Sequence, residues 1–517
     1  MRFRTILVGL LFAFAFVVSA RAGGVTIIAH GFSSNVTDWI IPMAGKIGSY
    51  PGFPGTSYSC YQITISRNGA GQLVAAATLI GGVTPLESDS GEIVVKLDWS
   101  SVSSVGGASS TAVAQATTTA LLDANFILAL NGHALAEAPL HLIGHSRGGS
   151  VVTEMARLLG AQGVWVDHVT TLDPRPVAQF SDAAVTSWSN VLFADNYWQT
   201  MGDGLIVPNG QSVFGATNRK LLNLSGGYSS SHSDVHLWYH GTIDLATPAS
   251  DTQATINAAQ RTSWWTPAEG AGASAGFLYS LIGGGDRLSN LEPAGAGNGR
   301  INDGFNRAWE LGGGIAPNRA SLTVAAGLWP NPIRFQVTTP SSITAGQSFT
   351  VTLYDQAGSS AAGEVALDLL LDPDANLFNG NEIVVAQLLL PRTGTNAVSL
   401  QALAIGTQGS LPPGSYAVCA RLSDGGRSRY LYAPQHLTVT PTPSPPRIDA
   451  GSLLRVSGIV QFDVHAMPGQ AVMVEATIDL IAWTPLQTHT FTGSVWQFVD
   501  GAAAKFDRRI YRVVLAP

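Results

Sequence analysis

Cysteine is nearly absent: Cys60 and Cys419 are the only two in 517 residues. They lie far apart in separate apolar runs, so two buried free thiols are expected rather than a disulfide. Stability must then come from core burial. Charge is sparse too, with Asp, Glu, Lys and Arg making up 12% of the chain and a net charge of −7. No basic stripe is present, which argues against nucleic acid as a partner. After the first residues no apolar run is long enough to form a membrane helix. What the chain has in abundance is glycine, 57 residues, and a length that implies two to four domains.

Residues 1–22 read as a secretory signal. Arg2 and Arg4 form a positive start, an apolar run follows, and Ala20-Arg21-Ala22 offers a small-residue cleavage site. The mature protein is expected to begin at Gly23 and to be secreted or cell-surface, of bacterial type. Residues 23–290 alternate strand and helix signals. Apolar runs at 25–29, 92–97, 140–143, 168–172 and 191–194 read as strands, and residues 111–130 as a helix. This predicts an α/β class with a mostly parallel sheet and helices on both faces. Residues 291–330 form an irregular connecting segment. Residues 331–440 show short alternating strands and predict an Ig-like β-sandwich. Residues 441–446 are a Pro-rich linker, and residues 447–517 a small all-β module.

The chemistry concentrates around Gly144-His145-Ser146-Arg147-Gly148. A G-x-S-x-G elbow places serine on a tight turn between a strand and a helix, with its hydroxyl projecting above the sheet. The apolar residues on either side supply that context. A serine nucleophile needs a base, an acid to orient the base, and donors for an oxyanion. Two acids qualify. Asp173 ends the run 168–172 and precedes Pro174; Asp195 follows the next run. Two bases qualify: His232, on a loop of small residues, and His236, one helical turn later. The oxyanion donors would be the backbone N–H groups of Arg147 and Phe32, the latter after His30-Gly31, where glycine permits close approach.

These residues resemble the lipase branch of the α/β-hydrolases, in particular the pancreatic-lipase-like group. The matching pieces are Ala29-His-Gly-Phe32, Lys96-Leu-Asp-Trp99, His141-Leu-Ile-Gly-His-Ser146, Thr171-Leu-Asp-Pro174, and His232 followed by Trp238 and Tyr239. The resemblance covers residues 24–240. It implies that Asp173 rather than Asp195 is the acid, giving Ser146, His232 and Asp173 with Phe32 and Arg147. It implies a serine ester hydrolase that works through an acyl-enzyme without a cofactor. The chain departs from the group in lacking its disulfides and in carrying Arg147 where Leu or Met is usual.

Three features remain open at this stage. Residues 200–231 occupy the position of a lid, with Leu205, Ile206 and Val207 among their apolar members. Asp372, Asp374, Asn376 and Glu382 could present oxygens to calcium, although their spacing does not match an EF-hand. The β modules could contact a cell surface or polysaccharide. The substrate is therefore a lipid ester or, alternatively, a polyester or acylated polysaccharide. A reading from another class is a non-catalytic adhesion or scaffold protein.

Overall fold

The computed structural model describes residues 23–202, 208–245, 251, 253–265, 275–285, 300–301, 319–323, 329–356, 363–391, 399–441 and 444–516. The expected signal segment, most of the irregular segment 291–330, and Leu205, Ile206 and Val207 lie outside these residues. The chain divides into two compact units, Met1–Val439 and Thr440–Pro517.

The first unit opens with a nine-stranded sheet. Its strands are β1 (Val25–Ala29), β2 (Ser59–Arg67), β3 (Leu73–Gly82), β4 (Ile93–Asp98), β5 (Leu140–His145), β6 (Val166–Leu172), β7 (Val191–Trp198), β8 (Thr217–Lys220) and β9 (Arg300–Ile301). Their order is β3-β2-β4-β1-β5-β6-β7-β8-β9. The inner pairs are parallel. Both edge strands, β3 and β9, pair antiparallel with their neighbours.

Side chains on a strand alternate between faces, and the central strands fill two cores in this way. Val25, Ile27 and Ala29 enter one core, and Ile28 enters the other. The first core takes in residues of helices α2 (Ser110–Leu121) and α3 (Arg147–Ala161). The second takes in α1 (Ile40–Ile47), α4 (Ser231–His240) and α5 (Ala258–Trp264).

Eight strands complete the first unit: β10 (Asn331–Thr339), β11 (Ser342–Thr344), β12 (Ser348–Gln356), β13 (Glu364–Asp372), β14 (Ile383–Pro391), β15 (Ser399–Gly406), β16 (Gly414–Asp424) and β17 (Arg427–Thr440). They form sheets β10-β12-β15 and β11-β17-β16-β13-β14 around a third core. The five-stranded sheet also contributes Leu370, Cys419, Tyr430 and Tyr432 to the first core. Arg429 secures this junction, donating from Nη1 and Nη2 to the Trp165 carbonyl at 3.0 Å. Asn376 donates to the carbonyls of Pro85 at 2.7 Å and Ser88 at 2.8 Å.

The second unit holds β18 (Arg447–Ile448), β19 (Leu454–Val456), β20 (Ile459–His465), β21 (Ala471–Thr477), β22 (Thr484–Thr490), β23 (Val495–Asp500) and β24 (Ile510–Leu515). They make two small sheets around Phe462, Val472, Val474 and Phe498. Cys60 and Cys419 are free and buried. No helix among the described residues is long and apolar enough to cross a membrane.

The expected α/β class is corrected by these observations. Strand accounts for 40% of the structure and helix for 18%. The first sheet is mixed, and four further sheets are built from antiparallel pairs. Two local causes reduce the helix content. The helix expected over residues 111–130 stops at Leu121, because Asp123 Oδ1 accepts the Asn125 N–H at 2.9 Å and turns the chain. One face of the first sheet, expected to be covered by helices, is covered in part by the five-stranded sheet.

Candidate functional site

The loops at the C-terminal ends of β1, β5 and β6 converge. Ser146 follows β5 and precedes α3 with φ 57° and ψ −124°. Asp173 follows β6 with φ 45°. Both are left-handed conformations that a residue with a Cβ rarely adopts. Each costs of order 1–3 kcal/mol, so surrounding contacts must impose it. The Ser146 N–H donates to the Leu172 carbonyl at 3.0 Å, and the Ser146 carbonyl accepts the Arg175 N–H at 3.1 Å. The Asp173 N–H donates to the Tyr197 carbonyl at 2.7 Å. Glycine makes the elbow possible. A Cβ on Gly148 would lie 2.5 Å from the Ala29 carbonyl oxygen, and one on Gly31 would lie 2.7 Å from Ser146 Cβ. The loop after β1 therefore runs directly against the serine.

His232 sits in the first turn of α4 and donates from Nδ1 to Asp173 Oδ2 at 2.5 Å. That contact assigns the proton to Nδ1 and leaves Nε2 as the basic nitrogen. Ser146 is 8% exposed and His232 9%, whereas Asp173 is fully closed. His145 ties the base to the elbow. Its Nε2 donates to the His232 carbonyl at 3.0 Å, and the two rings lie 4.6 Å apart. Burial, reinforced by the charge of His232, pushes the His145 pKa well below its usual value. His145 is thus a neutral strut.

Gln199, one residue beyond β7, donates its N–H to Asp173 Oδ1 at 2.9 Å and its Nε2 to Asp173 Oδ2 at 2.8 Å. The alternative acid, Asp195, goes elsewhere. β7 extends to Trp198, so Asp195 lies within the strand, opposite Thr170. Its Oδ1 contacts His168 Nε2 at 2.9 Å and Thr170 Oγ1 at 2.6 Å, and its Oδ2 accepts the Tyr197 hydroxyl at 2.8 Å. The alternative base, His236, stacks on Trp39 at 4.5 Å and makes edge contacts with His145 and Tyr228. Burial, then the neighbouring histidines, lower its pKa well below normal.

On the oxyanion side, Arg147 is the first residue of α3. The first N–H groups of a helix have no intrahelical acceptor and lie at its positive end. The Arg147 side chain points the other way and is fully buried. It pairs with Asp182 through Nε and Nη2, both at 2.6 Å, and donates to the Ser103 and Ala108 carbonyls. Burial opposes the Asp182 charge, but hydrogen bonds from Arg147 and from the Ser110 and Val177 N–H groups hold its pKa below the carboxylate norm. The guanidinium also lies over Phe180, 4.7 Å from the ring centroid. Phe180 in turn stacks on Phe32 at 5.6 Å, leaving Phe32 41% exposed beside the serine. His30 fixes the loop, with its Nδ1 on the Gly31 carbonyl at 3.0 Å and its Nε2 accepting the Trp99 N–H at 3.2 Å.

The calcium candidates Asp372, Asp374, Asn376 and Glu382 lie on and after β13. Asp372 caps the Asp374 and Ala375 N–H groups and accepts the Tyr432 hydroxyl, while Asp374 Oδ2 accepts Asn379 and Asn381. Asn376 Oδ1 accepts the Phe378 N–H at 3.1 Å, while its Nδ2 donates to the Pro85 and Ser88 carbonyls. Among the described residues no group of three acidic, His or Cys side chains is arranged to hold a metal.

Sequence reasoning did not find Gln199, His145 as a strut, or Asp182. Gln199 carried one usable signal: it stands at the C-terminal end of the strand beside Asp173. Arg147 and Asp182, 35 residues apart, carried none.

No family model matches the chain, and no curated protein matches it. The chain is similar over small portions to a few solved structures. A superoxide reductase (neelaredoxin) from Ignicoccus hospitalis aligns at 12% identity over 21% of this chain and 82% of that one, with a TM-score of 0.14. The CARDB domain of a Pyrococcus furiosus protein aligns at 6% identity over 22% and 96%, with a TM-score of 0.15. The sporulation control protein Spo0M of Bacillus subtilis aligns at 10% identity over 27% and 67%, with a TM-score of 0.16. The resemblance to the lipase branch of the α/β-hydrolases is corrected by the fold itself. It rested on short motifs in residues 24–240, whereas the chain as a whole is β-rich with a mixed first sheet.

Proposed function

We propose that this protein is a secreted serine hydrolase of carboxylic esters. The observation that carries the reading is the 2.5 Å contact from His232 Nδ1 to Asp173 Oδ2, next to a serine held at positive φ. As Ser146 Oγ bonds to the ester carbonyl carbon, its proton passes to His232 Nε2. Asp173 holds the ring in the required tautomer and balances the imidazolium. The backbone N–H groups of Arg147 and Phe32 receive the developing oxyanion. The intermediate collapses as the alcohol leaves with the proton from Nε2. Water then attacks the acyl-serine and gives its proton to Nε2; as the second intermediate collapses, Ser146 Oγ leaves with that proton and the acid is released. The exposed Phe32 ring on Phe180 supports an apolar substrate group.

The test is hydrolysis of p-nitrophenyl esters from butyrate to palmitate by the protein beginning at Gly23, beside Ser146→Ala. The expected result is turnover that the variant loses while staying folded. Turnover that survives in Ser146→Ala would falsify the nucleophile. Absence of turnover, together with inertness to a serine-directed phosphonate, would leave the scaffold reading.

A further inference from the structure

We propose that Gln199 is the positioning residue of the acid–base pair, holding acid, base and the segment after β7 in one register. This rests on the proposed role of Asp173 and His232. Gln199 is fully buried, and every polar atom of its carboxamide is used. Nε2 donates to Asp173 Oδ2 at 2.8 Å and to the Pro208 carbonyl at 3.0 Å. Oε1 accepts the Met201 N–H at 2.5 Å, the Gly202 N–H at 3.2 Å and the Ser231 hydroxyl at 3.1 Å. Because Nε2 faces only acceptors and Oε1 only donors, the network fixes the amide orientation. Ser231 immediately precedes His232, so one side chain is bonded to the acid and to the first turn of the base's helix.

The chemistry follows from what Asp173 must do. Its two oxygens receive His232 and two donors from Gln199. The amide donors keep the carboxylate plane facing His232. Losing the Nε2 donor would let the carboxylate rotate away from His232. Gln199→Met keeps length and burial but removes both donor and acceptor.

The experiment measures kcat and KM for the full chain, for Gln199→Met and for Gln199→Glu, each alone and in an Asp173→Asn background. The expected result for Gln199→Met is a loss on the order of 10²-fold in kcat with KM little changed. In the Asp173→Asn background the same change should cost nothing further, because Gln199 acts through Asp173. Gln199→Glu retains polarity and size if the Met variant does not fold; lacking the amide donor to Asp173, it should show the same loss in kcat. Unchanged kcat, or an equal fractional loss with and without Asp173, would overturn the proposal. The His232 Nδ1 proton, followed by NMR, reads the contact without turnover. An unchanged resonance in both Gln199 variants overturns the positioning role even if the protein proves not to be an esterase. Absence of turnover with a moved resonance instead sinks only the functional reading.

Discussion

Two His–Asp pairs lie on the same sheet. His232 and Asp173 meet at 2.5 Å beyond the strand ends, beside Ser146. His168 and Asp195 meet at 2.9 Å in mid-sheet, packed with Thr170, Tyr197 and a His141 ring stacked 4.0 Å away. The residue types and the distances are alike. The first pair has Ser146 next to it, a partly exposed imidazole and a backbone held at positive φ. The second is closed, and its carboxylate is already committed to a hydroxyl on each oxygen. A His–Asp contact is therefore not a catalytic signature in itself. Access and strain separate a working pair from a cross-brace.

The largest expected effect tests that difference directly. Asp173→Asn should cut kcat by about 10⁴-fold, because the amide favours the wrong imidazole tautomer. Asp195→Asn should leave kcat near its original value. Steady-state ester hydrolysis checks both, and the reverse ranking would exchange the roles assigned to the two pairs.

The second effect is on stability and runs the other way. His168→Leu takes one hydrogen-bond partner from the buried Asp195 carboxylate and should cost about 1–3 kcal/mol. His232→Leu should cost clearly less, since its ring keeps some contact with water and the Gln199 donors remain on Asp173. Urea denaturation compares the two; equal losses would mean that the exposed pair also braces the fold.

Strand runs were the most legible part of the sequence, because continuous apolar stretches such as Val25–Ala29 have few other solutions. Strand ends were not. The apolar run 191–194 stops four residues before β7 does, since Asp195, Asn196 and Gln199 are polar yet buried on partners supplied from elsewhere. That polar extension made Asp195 look like a strand-end acid. β3 was missed because its alternate residues are half exposed and small. Class was misjudged for a different reason. Local periodicity reports elements one by one, whereas the cover that the five-stranded sheet gives to the first core depends on Asn331, Asn376 and Arg429, whose partners lie hundreds of residues away.

A third effect, no larger, probes that junction. Asn376→Ala leaves the Pro85 and Ser88 carbonyls without their shared donor and should cost about 1–3 kcal/mol. Ester hydrolysis at moderate temperature should be unchanged, since neither carbonyl belongs to the candidate site. A fall in kcat without a fall in melting temperature would show that the junction communicates with Ser146.

The comparison extends to a third carboxylate at the N-terminal ends of the central strands. Glu92 precedes β4, is 1% exposed, and accepts the Gly24 N–H at 2.5 Å and the Thr26 hydroxyl at 2.8 Å. Burial pushes its pKa up to about 8, with those two hydrogen bonds pulling the other way. Asp173 has His232 to balance its charge, whereas the hydrogen-bond partners of Glu92 are neutral. Below about pH 4.5 the carboxyl is protonated in the folded and unfolded chains alike. As pH rises toward 8 the unfolded chain releases the proton and the folded one retains it. The unfolded state then binds fewer protons, and stability falls through that window before levelling off. The full shift amounts to roughly a few kcal/mol. Glu92→Gln removes the ionisation, so its melting temperature relative to the parent should rise between pH 5 and pH 9. The difference between the two proteins cancels the other titrating groups. A flat difference across that range would mean that Glu92 ionises inside the fold, with water or a cation reaching the N-terminal strand edge.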